Sequence, residues 1–374
     1  MDSSTLTIGI EEEYLLLDPT TGQPTPAGER VRRIATGGDA EDAQIEPELL
    51  QVQVEVATPV CTSVAEAGSH LRKLRRELAD AGEQAGCVVV AVAAASSFAN
   101  ELPPASEKDR YQRMHARAPR LVDEMLVNGM HVHVGVPDPG ERARLLNQLR
   151  PWLPVLVALA ANSPFWDGTD SGFASWRTVH FNRWPASGPP PHVADEADYE
   201  RRVEAILETG ALVDRGQLYW QARLSQTYPT VEIRVADVQL TVDDALLIAG
   251  MLRGLAAHLL AAPDAEPVPD ELLRAAVWQA ARDGSMATLL HPVDRTVQPA
   301  QAVLDALFDA ALPELDALGD GELVRMLLAR RTEIGSGARR QRDRYQRAGL
   351  AGVLDLLHES FVAESALADS TPTE

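Results

Sequence analysis

Cysteine is nearly missing. The 374 residues hold two, Cys61 and Cys87, which make neither a disulfide framework nor a metal-ligand spacing. No apolar run approaches the roughly 20 residues needed to span a bilayer, and the longest is Cys87 to Ala95. The opening MDSSTLTIGIEEE lacks the basic and apolar regions of a signal peptide. A reduced, cytoplasmic protein is the expectation. Basic charge is also short: 34 Lys and Arg stand against 55 Asp and Glu, a net charge of −21. A surface of that sign, with a pI near 4.8, repels phosphate backbones and anionic lipid, which argues against nucleic-acid and membrane partners. The basic residues are nearly all arginine, which biased base composition explains as well as function does. Glycine loops that cradle phosphates are missing too: there is no Walker-type GxxxxGKS or GxxxxGKT, and no GxGxxG after a strand.

What is present can fold. An apolar content of 45% is enough for a full core, and the length allows two or three units at about 150 residues each. Strand-like, β-branched segments cluster early, at residues 5–17, 50–57, 87–95, 130–136 and 230–238. Helical patterns lie between them, at about 62–85, 108–127, 140–161 and 195–209. From about residue 241 the chain reads as helix after helix: Thr241 is a plausible N-cap, with Asp243 and Asp244 in the first turn. A Pro-rich break at 263–270 precedes further helices at about 271–283, 299–311, 321–331 and 338–357. No repeat of fixed period is visible. Alternating strands imply a sheet with two unlike faces, which fits an antiparallel or mixed α+β fold better than a parallel one. The expectation is one catalytic domain over 1–364, with strands mostly at 5–240, a helical portion at 241–364 and a frayed tail at 365–374.

Side chains two apart on a strand share a face. Val52, Val54 and Val56 therefore oppose Gln51, Gln53 and Glu55, while Met130, Val132, Val134 and Val136 oppose His131, His133 and Gly135. Val231, Ile233 and Val235 oppose Thr230, Glu232 and Arg234, and Glu11 and Glu13 share a face with Gly9. A merely solvated face usually carries lysine, threonine, serine and mixed charge. These four faces carry Glu, Glu, Glu, His, His, Glu and Arg. On one sheet they would form an acidic surface whose carboxylates repel unless cations neutralise them. Hard divalent ions suit such oxygens, so Mg²⁺ or Mn²⁺ is favoured, with substrate phosphates bridged to it. His-x-His with a carboxylate is also a zinc pattern, and zinc is the rival. Arg234 reads two ways, as a bidentate donor to a phosphate or as a salt-bridge partner of a neighbouring glutamate.

Three loop-like runs, 162–177, 184–191 and 219–229, have the composition of recognition loops, with Arg177, Trp220 and Arg223 as candidate contacts. The run 184–191 (WPASGPPP) cannot be regular structure. Five arginines near the C-terminus, Arg339, Arg340, Arg342, Arg344 and Arg347, read first as a solvated helix face. His180, His258 and His291 carry no functional reading.

Taken together, GIEEEYLL (9–16), ELLQVQVEVATP (48–59), GMHVHVGV (129–136), NSPFWDGTDSGFASWR (162–177) and YPTVEIRVADV (228–238) resemble the type-2 glutamate–cysteine ligase family, the carboxylate–amine ligases. The matches come in family order across about residues 7–240. That resemblance implies a glutamine synthetase-like fold: a curved, largely antiparallel sheet whose concave face holds Mg²⁺ and ATP, with helices packed outside. It implies metal ligands at Glu11, Glu13, Glu55, His131 and Glu232, with Glu55 also catalytic. It places Arg234 against the γ-phosphate, and Arg177 and Arg223 against substrate carboxylate or phosphate. The implied reaction joins glutamate to cysteine or another amine through an acyl phosphate, with small-molecule substrates and room for a homo-oligomer. A His-x-His metallohydrolase and a catalytically idle nucleotide-binding paralogue are the alternatives. The chain departs from the family pattern at Gln221, at Leu224 and in AVWQAAR (276–282), which bears on the second substrate more than on phosphoryl chemistry.

Overall fold

The computed structural model describes residues 6–38, 44–96 and 102–363, so the expected frayed tail lies outside the described residues. Seven strands make the main sheet: β1 (Ile8–Leu17), β2 (Ile45–Pro47), β3 (Gln53–Ala57), β4 (Val88–Val90), β5 (Gly129–Gly135), β6 (Ala222–Leu224) and β7 (Thr230–Asp237). Their order is β6-β7-β5-β1-β3-β2, with β4 also on β1, and every pairing is antiparallel. β1 is central. It meets β3 along one edge, and β5 then β4 along the other. The sheet is open, as an α+β fold of this kind requires.

The apolar face buries Ile8, Ile10, Val54, Val56, Val132, Val134, Val231 and Ile233. Helices cover that face. The Val242–Ala261 helix, long and apolar enough by itself to cross a membrane, has 83% of its most apolar stretch buried inside the protein. The helices Val64–Gln84, Ala300–Leu318 and Gly321–Ile334 pack around it. Its cap is the expected one: Thr241 accepts the Asp244 N–H. Asp244 in turn pairs with Arg331 at 2.9 Å and with Arg340. Burial would raise its carboxyl, but the two guanidiniums outweigh burial and hold it at about 2.

Proline explains most departures from the sequence reading. The pattern at 108–127 breaks at Ala118 into Asp109–Arg117 and Pro119–Asp123. The pattern at 140–161 splits around Pro151 and Pro154 into Pro139–Leu149, a 3₁₀ turn and Leu153–Ala160. Of 87–95, only Val88–Val90 finds a partner strand. WPASGPPP does contain regular pairing after all, because Ser187–Gly188 lies parallel to Tyr219–Trp220. Of the C-terminal arginines, Arg340 ties its helix to Asp244 of the core helix, Arg342 grips Asp170 in the 162–177 run, and Arg344 grips Glu359 within the same Gly337–Phe361 helix.

One buried ion pair knits these layers. Glu12 points away from Glu11 and Glu13, into the core, and is fully buried. Arg75, from the Val64–Gln84 helix, donates to both Glu12 oxygens, at 2.8 and 2.9 Å. It also donates to the carbonyls of Gln239 and Leu240, at 2.9 and 3.0 Å, and lies 5.4 Å from the Tyr14 and Phe361 ring centres. The guanidinium thus ties β1 to a helix, to the entry of the core helix and to the C-terminal helix. Arg75→Met leaves the Glu12 charge buried and alone, and is expected to cost about 3–5 kcal/mol in urea unfolding. The Glu12→Gln/Arg75→Met double variant is expected to lose clearly less than the two single losses combined. Additive losses would show that the pair does not act as a unit.

Candidate active site

The antiparallel register fixes which polar side chains meet. Glu11 lies opposite His131 on β5 and Ala57 on β3, and Glu13 lies opposite Glu55. His133 lies opposite Gly9 and Glu232, and Glu232 lies opposite Arg223. Five strands therefore contribute to one surface. It is not a solvated face: Glu232 is 2% exposed, His131 3% and Arg234 8%.

At the centre, Glu11 touches both imidazoles, through His131 Nδ1 at 3.0 Å and His133 Nε2 at 3.2 Å. His133 Nδ1 meets the Thr230 hydroxyl at 2.9 Å. Glu13 accepts the Gly129 N–H at 2.6 Å and lies 3.6 Å from His131 Nε2. Two trios have ligand atoms within 4.8 Å of one another, Glu11–Glu55–His131 and Glu11–His133–Glu232, and Glu11 belongs to both. The Nε2 atom of His131 is buried without a hydrogen-bond partner. A buried, unpartnered imidazole nitrogen among carboxylates is a donor set that fits a divalent cation.

Charge is unevenly compensated across this surface. On the β7 side, Arg223 clamps Glu232 with two hydrogen bonds, at 2.7 and 3.0 Å, and Arg234 touches it as well. Burial would raise Glu232, yet Arg234 and Arg223 hold it far below the usual range. Glu11 is likewise pulled down by His131 and His133 against the pull of burial. On the β3 side, among the described residues, no guanidinium pairs directly with Glu48 or Glu55, and Arg110 and Arg234 act on them only at longer range. Burial and the charges of Glu48, Glu11 and Glu13 push Glu55 well up, and burial with Glu13 pushes Glu48 to about 7. That side is short of positive charge.

The structure brings Glu11, Glu13, Glu55, His131, Glu232, Arg223 and Arg234 together, and it assigns Arg234 an ion pair with Glu232. Arg177 sits at the Gly129 end of β5, on the face that His131 shares, where a Cβ on Gly129 would lie 2.2 Å from its Nη2 and would displace the guanidinium. It donates to the Arg234 carbonyl at 3.3 Å and stacks over Phe181. The loop that carries it is anchored on Asp237, which accepts from Asn162, Ser163 and Ser175. Trp220 is not a contact of this surface: it is buried against Tyr199 in the core, and its neighbour Tyr219 lies under Arg234, 6.0 Å from the ring centre.

Sequence reasoning left His133 without a role, although it shares a face with His131. It missed Glu48, whose carboxylate accepts from the Tyr111 hydroxyl at 3.0 Å, and it missed Tyr219. Glu48 precedes its strand and Tyr111 comes from a helix, so neither has a periodic signal. Two cavities of about 770 and 550 Å³ flank the 225–229 turn, and both are floored by Glu11 and His133.

Because Glu11 is common to both trios, Glu11→Gln is expected to weaken Mn²⁺ binding more than Glu55→Gln or Glu232→Gln, measured by calorimetry or electron paramagnetic resonance. Lowering the pH is expected to weaken Mn²⁺ binding early, since Glu55 takes its proton well above the ordinary carboxylate range. Equal losses in all three variants would remove the sharing.

The profile of Glutamate-cysteine ligase family 2 (GCS2) matches residues 7–359. A Saccharopolyspora erythraea protein provisionally named glutamate–cysteine ligase 2-1 is 41% identical over 345 residues, covering 91% of each chain. A Salinispora arenicola protein provisionally named glutamate–cysteine ligase 2 is 42% identical over 346 residues, covering 91% of this chain and 90% of its own. Among solved structures, a Francisella tularensis glutamate–cysteine ligase in complex with AMP superposes with a TM-score of 0.72 at 13% identity, over 96% of this chain and 89% of that one. A Pasteurella multocida bifunctional glutathione synthetase gives 0.67 at 17% identity, over 96% and 53%. The two structural likenesses establish the fold. The profile and the relatives establish the family: this chain belongs to glutamate–cysteine ligase family 2.

Proposed function

We propose that this protein is an ATP-dependent carboxylate–amine ligase that activates the γ-carboxyl of glutamate as an acyl phosphate and passes it to an amine, cysteine or another. The observation that supports the reading is the pair of carboxylate–imidazole trios sharing Glu11, with the His131 Nε2 buried and without a hydrogen-bond partner. Glu11, Glu55 and His131 would hold one divalent ion, and Glu11, His133 and Glu232 a second, with Glu13 beside the first. Bound Mg²⁺ or Mn²⁺ supplies neutralisation of the triphosphate and of charge developing on the transferring phosphoryl group.

The chain's own residues do the positioning. Arg223 fixes the Glu232 carboxylate, and Glu232 with the Tyr219 ring fixes Arg234, so this guanidinium meets the phosphoryl group without reorganising. Its Nε, buried and without a partner, is a donor free for a phosphate oxygen. Arg177 acts from the Gly129 end of β5, steadying β7 through the Arg234 carbonyl. The two cavities meeting at Glu11 give two reactants separate approaches to the same ions. The departures Gln221 and Leu224 flank β6 beside Glu232, and the Gln221 side-chain oxygen is buried without a partner. They bear on which amine is taken.

Incubation with Mg²⁺, ATP and glutamate, followed by an amine panel scored by phosphate release, tests the reading. Glu55→Gln and Glu232→Gln are each expected to abolish metal-dependent ADP release, and wild-type release by either defeats the ligand assignment. Arg234→Lys is expected to lower kcat about 100-fold, near 2.7 kcal/mol, with a smaller change in KM for glutamate. Ester or amide hydrolysis by zinc-loaded protein without ATP would replace the ligase with a metallohydrolase.

A further inference from the structure

The two cysteines make no ligand spacing with each other, but Cys61 finds partners of other types. Past β3 the backbone runs through Thr58 and Pro59 to Cys61 and then enters the Val64–Gln84 helix. The Cys61 N–H and carbonyl exchange hydrogen bonds with Ile8, both at 2.8 Å, which fastens this turn to the start of β1. Cys61 is fully buried, and its thiol donates to the Pro59 carbonyl at 3.1 Å.

Glu66 and His70 are four residues apart on the helix, so both side chains leave the same face. One ligand atom from each of Cys61, Glu66 and His70 lies within 4.8 Å of the other two. Glu66 and His70 are partly exposed, so a cation can enter from solvent while the sulfur stays inside. The carboxylate is already oriented. Its Oε2 accepts the Thr62 N–H and hydroxyl, both at 2.8 Å, the kind of outer support that ligating carboxylates receive. Arg253 comes close, donating to the Thr62 carbonyl at 2.7 Å, but its charge is taken by Asp320. Burial and the Glu66 charge push the Cys61 thiol up, and a cation between the two relieves that repulsion.

Thiolate and imidazole are ligands that zinc favours and magnesium does not. Ligands of a tetrahedral zinc stand about 3.5 Å from one another, so modest side-chain rotation closes this trio on one ion. We propose that Cys61, Glu66 and His70 bind a single zinc-like divalent cation, its fourth position left to water, at the joint between β3 and the Val64–Gln84 helix. On binding, the thiol proton leaves to solvent and the sulfur coordinates as thiolate. The ion would clip the first turns of the helix to the segment that holds the start of β1. Its metal preference differs from that of the acidic face, where oxygen donors outnumber nitrogen and sulfur is missing.

The test uses the full-length protein, freed of metal with EDTA and then held in excess Mg²⁺, with Co²⁺ as the probe. One equivalent of Co²⁺ is expected to give a thiolate-to-cobalt charge-transfer band, which Zn²⁺ abolishes by displacement. Cys61→Ser is expected to remove the band. Cys87→Ser, beyond the far end of the same helix, is expected to leave it intact. His70→Gln is expected to weaken Zn²⁺ binding by about tenfold or more in competition with Co²⁺. The band reports sulfur ligation and no turnover, so its outcome is separate from that of the ligase reading. Absence of the band, a band that survives Cys61→Ser, or undiminished Zn²⁺ affinity in His70→Gln overturns the site. Loss of the band in Glu11→Gln assigns the ion to the acidic face and overturns it as well.

Discussion

The structure is organised around a surplus of carboxylates that are neither exposed to water nor fully paired. Burying several acids on one face is unfavourable unless positive charge is supplied, because each ion loses hydration and feels its neighbours. On the β7 side the fold supplies that charge itself, through Arg223 and Arg234 on Glu232, while the two imidazoles contact Glu11. On the β3 side it does not, and Glu48 and Glu55 hold their protons far above the ordinary range in consequence. A sheet with half its acids compensated is poised to take cations on the other half. The same asymmetry orients the proposed chemistry, with the fixed guanidiniums beside the Glu11–His133–Glu232 trio and the uncompensated acids at the Glu11–Glu55–His131 trio.

Three consecutive glutamates on β1 show how strand geometry divides labour within one tripeptide. Glu11 and Glu13 point to the acidic face, while Glu12 points into the core and is neutralised by Arg75. A one-residue slip of β1 would exchange these environments, burying two acids with one arginine and leaving the imidazoles with a single carboxylate. The Glu12–Arg75 pair therefore does more than hold layers together. It fixes the register on which the opposite face depends, and its ties to Gln239 and Leu240 set where the core helix begins relative to that register.

Much of this was legible in the chain. Period-two alternation was enough to place Glu55, His131, Glu232 and Arg234 on polar strand faces, because side-chain direction on a strand is a local property. The β-branched runs also gave the sheet, and Thr241 with its acidic first turn gave the start of the core helix. Long-range placement was not legible. Nothing local tells that Tyr111 reaches Glu48 across 63 positions, or that Tyr219 and not Trp220 faces Arg234. Arg177 illustrates the same limit: its loop was legible from composition, but its seat against the end of β5 depends on Gly129 leaving space, which only the packed structure reveals. Proline breaks in two helical patterns were missed because apolar periodicity continued across them.

The two histidines bear on the proposed choice between the chemistries that the His-x-His spacing leaves open. Side chains two apart on a strand leave the backbone about 6.6 Å from one another, so one ion held by both requires the rings to lean together. Here they diverge in allegiance instead. Register puts His131 opposite Glu11, while His133 falls opposite Gly9 and Glu232. Each imidazole then joins its own pair of carboxylates, and the two groups share Glu11 without sharing an imidazole. A catalytic zinc site wants two or three nitrogens on one metal. Two neighbouring sites, each richer in oxygen than nitrogen and joined by one bridging acid, suit hard ions that act together on a chain of phosphates.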